Sequence, residues 1–87
     1  MDELSEVFNT YIATGEVKPE NLSKLLQYLQ KYKGCEFTMK YTGRLPVINT
    51  GGYTVGIKSA DIVVLVSMVT FMDTIMLALA KYRTQIL

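Results

Sequence analysis

The chain has 87 residues, one cysteine, no histidine and a formal net charge of +1, which leaves few routes to catalysis. Cys35 has no second cysteine for a disulfide and no histidine to complete a zinc site or to serve as a base near neutral pH. A chain of this length buries only about 60–65% of its unfolded surface, so self-association is the remaining staple.

The charges are unevenly spread. Residues 1–23 carry five acids against Lys18, a net of −4, and residues 24–58 carry six bases against Glu36, a net of +5. Residues 59–87 balance Asp61 and Asp73 against Lys81 and Arg83. Such a split suits opposite-sign solvated faces, self-association, or a basic middle offered to an anionic partner. The acidic start MDELSEVFNTY lacks the basic onset and apolar core of a signal peptide. With the lone cysteine, this points to a cytoplasmic protein.

In chain order, residues 2–13 read as a helix, with Leu4, Val7, Phe8, Tyr11 and Ile12 on one face and Gly15 closing it. A second helix follows Pro19. Leu22, Leu25, Leu26 and Leu29 form its apolar stripe, Tyr32 extends it, and Gly34 ends it. The short link makes residues 1–34 an antiparallel helical hairpin.

From Cys35 the period changes to two. Phe37, Met39 and Tyr41 alternate with Thr38, Lys40 and Thr42, and Tyr53, Val55 and Ile57 alternate with Thr54, Gly56 and Lys58. Residues 35–58 therefore read as a β-hairpin with a long loop, TGRLPVINTGG, whose own apolar patch at residues 45–48 suits a folded-over loop or a short extra strand. Ser59 suits the N-cap of a long apolar helix over residues 59–86. That helix would run roughly 35–40 Å, longer than the globule of about 30 Å expected to cover it. The expected fold is a single α+β domain.

Residues 62–80 hold one charge, Asp73, and match the length of a single membrane span. Against that reading, Ser67, Thr70, Asp73 and Thr74 fall on one side of a 100° wheel. Val64, Met68, Phe71, Met72, Ile75, Leu79 and Tyr82 fall on the other. A polar stripe favours a helix that meets another subunit along its apolar side, and places Asp73 at an edge or beside a base. The seven apolar residues are the expected homo-oligomer interface.

No catalytic constellation, metal-ligand spacing, cofactor fingerprint or phosphate loop is present in the sequence. An anion site is the remaining small-molecule candidate. It combines Lys40, Tyr41 and Arg44 with the turn at Asn49, Thr50, Gly51, Gly52 and Tyr53, and with Lys58 and Ser59 at the supposed helix start. Lys31-Tyr32-Lys33 and Lys40-Tyr41 interleave bases with aromatics, as in single-strand nucleic-acid binders, but near-neutrality and the acidic first helix weigh against that partner. Size, single cysteine and lack of catalytic groups resemble those of small accessory proteins that act by binding. The expected function is a non-enzymatic, homo-oligomeric interaction protein that binds, and could inhibit, another protein. The alternatives are capture of a phosphorylated or nucleotide ligand, and a single-span membrane protein.

Overall fold

The computed structural model describes residues 3–42 and 52–87. The architecture is α+β: an N-terminal helix pair, a three-stranded antiparallel sheet and a C-terminal helix. The chain, read above as one domain, divides into two compact units, Met1–Cys35 and Glu36–Leu87.

In the first unit, α1 (Glu3–Thr14) ends at Gly15, whose φ of 77° and whose N–H to the Tyr11 carbonyl close the helix. Pro19 opens a single 3-10 turn, Pro19–Asn21, where its missing N–H goes unneeded. The turn runs directly into α2 (Leu22–Tyr32). Leu22, Leu25 and Leu29 are buried and Leu26 is half-buried. Tyr32 departs from the expected stripe: it is exposed and lies against Tyr28, which itself stacks on Phe8 with ring centroids 4.3 Å apart. Gly34, at φ 64°, follows α2, and the Leu29 carbonyl accepts from the N–H groups of both Lys33 and Cys35. A bridge of 3.2 Å joins Lys24 to Glu3, a solvent-exposed pair of the kind that adds little stability.

In the second unit, β1 (Glu36–Thr42) and β2 (Gly52–Lys58) pair antiparallel, with Glu36 opposite Lys58 and Thr42 opposite Gly52. The expected strands and their direction are present. The loop between them, with the apolar patch at residues 45–48, lies outside the described residues.

Beyond Lys58 the expected helix over residues 59–86 gives way to two elements. A four-residue turn, closed by the Ser59 N–H to the Ile62 carbonyl at 2.9 Å, leads into β3 (Val63–Met68). Helix α3 (Phe71–Ile86) follows. Two local preferences explain the correction. Val63, Val64 and Val66 are β-branched and stiff at χ1, so an extended, half-buried strand accommodates them better than a helix. Thr70 and Asp73 then form a helix start inside the apolar tract: the Thr70 hydroxyl accepts from the Asp73 N–H at 3.2 Å, and the acid sits in the positive first turn. Ser59 therefore caps no helix. Asp73 is exposed at an element end, as expected for a single acid in an apolar run. Replacing Thr70 by Ala removes the cap and should cost about 1 kcal/mol in urea unfolding, whereas Thr70→Asn should keep most of it.

Helix α3 has 16 residues and a length of about 24 Å. Among the described residues, no helix is long and apolar enough to cross a membrane, and residues 62–80 are divided between β3 and α3 where one helix was expected. Helix α3 packs on β2 and β3. Its buried residues Thr74, Ile75, Ala78, Leu79 and Tyr82 meet a sheet face from which Val55, Ile57, Val64 and Val66 are also buried. The Thr74 hydroxyl, fully buried, donates to the Thr70 carbonyl, so the polar atom inside this core is satisfied.

Candidate functional site

The supposed oligomer stripe is dispersed. Val64 is a buried sheet residue, Met68 ends β3, and Ile75, Leu79 and Tyr82 are buried in this chain's own core. Only Phe71 and Met72 keep substantial exposure. The helical wheel over residues 62–80 set residues of β3 and of α3 side by side as if on one helix.

The candidate anion site is divided as well. Arg44, Asn49, Thr50 and Gly51 lie outside the described residues. Tyr41 and Tyr53 face each other across β1 and β2, their rings 5.2 Å apart, and Phe71 lies 5.6 Å from Tyr53. Lys58 and Ser59 stand at the other end of β2, five residues and about 17 Å from Tyr53. Alternation also sends Lys40 and Lys58 to the sheet face opposite Tyr41 and Tyr53. Gly52 is buried at the Tyr53 end of that strand. Among the described residues, no group of three or more His, Cys, Asp or Glu could hold a metal ion. Cys35 is buried.

The sheet instead presents two contrasting edges, since its order is β1-β2-β3. Strand β3 pairs without interruption from Tyr53 opposite Met68 to Lys58 opposite Val63. Val64 and Val66 turn inward, while Val63 and Leu65 point outward, 69% and 72% exposed. Ser67, also outward, shares a hydrogen bond of 2.8 Å with Thr54 on the same face. Val69, just beyond the strand, is exposed too. Edge strands are ordinarily protected by charge, proline, a bulge or an extra element laid over them. The sequence of β3, VVLVSM, has no charge and no proline, its register has no bulge, and among the described residues its outer side pairs with no strand.

Strand β1 is the opposite case. It presents Glu36 and Lys40, both exposed, on one face. On the other face Met39 and Tyr41 are 43% and 62% exposed, because α3 packs on β2 and β3 and leaves this row open. Of the alternating apolar residues of β1, Phe37 is half-buried, and Met39 and Tyr41 are exposed.

Neither edge was identified from the sequence. The β-branched run and the Thr70-x-x-Asp73 spacing were the signals for β3, and the uncharged VVLVSM segment was the signal that its edge is unprotected. Comparison of this chain with protein-family models, with curated proteins and with solved structures found no match.

Proposed function

We propose that this chain is a non-enzymatic interaction protein that accepts an extended segment of another protein along the outer edge of β3. The observation that carries the reading is the uncharged, unbulged β3 edge with Val63 and Leu65 facing solvent. Every second residue of such an edge turns its N–H and C=O outward, so an added strand gains main-chain hydrogen bonds. Outward Val63 and Leu65 would favour β-branched or aliphatic side chains in that strand. A lone buried thiol, Cys35, suits work in the reducing cytoplasm.

Peptides selected on the protein from a random display library, and titrated by calorimetry, test the proposal. They should be extended and rich in β-branched residues, and Leu65→Lys should weaken them at least about tenfold by placing a charge in the contact. Leu77→Lys, on the exposed side of α3, should leave them unchanged. Equal binding to Leu65→Lys and the natural chain would overturn this reading.

A further inference from the structure

The β1 edge carries its own complement. Charges on an edge strand reject most strands and accept one that brings the opposite sign to the matching position. In an antiparallel pair, directly opposed residues point to the same face, so two copies of β1 can meet only about a residue centre. With the two-fold axis at Thr38, Glu36 of each copy stands opposite Lys40 of the other. Both residues are exposed and share a sheet face. On the opposite face the same register sets Phe37 against Met39 of the other copy, and Met39 is 43% exposed in the row that α3 leaves open. Two opposite-charge pairs and two apolar pairs thus arise from one five-residue stretch, EFTMK.

We infer that this face is a homodimer contact, in which β1 pairs antiparallel with β1 of a second copy about Thr38 and joins the two sheets into one. The contact is independent of the β3 edge, which stays open at both ends of the joined sheet. A five-residue ladder falls short of the roughly 1,000 Å² that a stable interface buries, so the dimer is weak and depends on concentration.

Charge reversal tests it by sedimentation equilibrium over about 0.01–1 mM, a range suited to a weak contact. The natural chain should dimerise. Lys40→Glu, which sets acid against acid twice, should weaken the dimer about tenfold or more. Glu36→Lys should do the same, although it also places a second base opposite Lys58 within the chain. An equimolar mixture of the two variants should dimerise again, because both charged positions of the Lys40→Glu chain are then acidic and face two bases on the Glu36→Lys chain. Leu65→Lys, at the other edge, should leave the dimer intact.

A second measurement reads the register without depending on charge. Thr38→Cys should cross-link to itself under mild oxidation, and Met39→Cys should not. A natural chain that stays monomeric throughout, a mixture no more associated than its components, or preferential cross-linking at position 39 would each overturn the inference.

Discussion

Leu79→Ala should lower the unfolding free energy of the unit Glu36–Leu87 by about 2–5 kcal/mol, the range for truncating a buried leucine. Leu79 is 1% exposed on the α3 stripe that packs against β2 and β3, among Ile75, Ala78 and Tyr82. Its removal leaves a cavity that the sheet cannot collapse into, because strands paired on a continuous register move little. The loss should be the same at every protein concentration in urea melts followed by circular dichroism. Leu77→Ala on the exposed side should change stability by well under 1 kcal/mol. If this stripe lay between subunits, Leu79→Ala would instead shift the association equilibrium and spare the isolated chain, so the two readings give opposite patterns.

Leu29→Ala should be of similar size, about 2–5 kcal/mol, in the unit Met1–Cys35. Leu29 is fully buried, and its carbonyl accepts from the two N–H groups that close the end of α2. A unit of this length has little stability to spare, since domains under about 40 residues usually need outside help. The signals of Phe8, Tyr28 and Tyr32, whose rings form one cluster, should therefore collapse toward random-coil positions in NMR spectra of Leu29→Ala. Leu26→Ala, at a half-buried position, should retain that cluster. A dispersed Leu29→Ala spectrum with a cost under about 1 kcal/mol would show that the leucine stripe is not the core of this unit.

The helix pair was legible because several local signals agree there. Periodicity, Pro19, Gly15 and Gly34 all point to the same boundaries, and the backbone takes positive φ at both glycines. The β1–β2 pair was legible from strict alternation. Strand β3 was not, because Val64, Met68, Phe71 and Ile75 happen to keep helical spacing across the junction at Thr70. Over so short an apolar run, periodicity cannot separate strand from helix, and the β-branched side chains were the better guide.

The functional surfaces were hidden for a related reason. An unprotected edge depends on strand order, and strand order is a tertiary property. The misassignment of β3 also entered two site readings: an oligomer stripe along a helix that begins only at Phe71, and an anion site that relied in part on a helix start at Ser59, where a turn stands instead. Correcting one element moved the functional reading from a helix face to the edges of a sheet.

The central claim is that the tract read as one helix is a strand at the edge of the sheet, a cap and a shorter helix. Inter-strand nuclear Overhauser contacts on labelled protein test it most directly. Cross-strand contacts linking Val55 with Val66 and Ile57 with Val64, with extended-type Cα shifts over residues 63–68 and helical shifts starting at Phe71, are the predicted result. Helical shifts running unbroken from Ala60, without those cross-strand contacts, would contradict it.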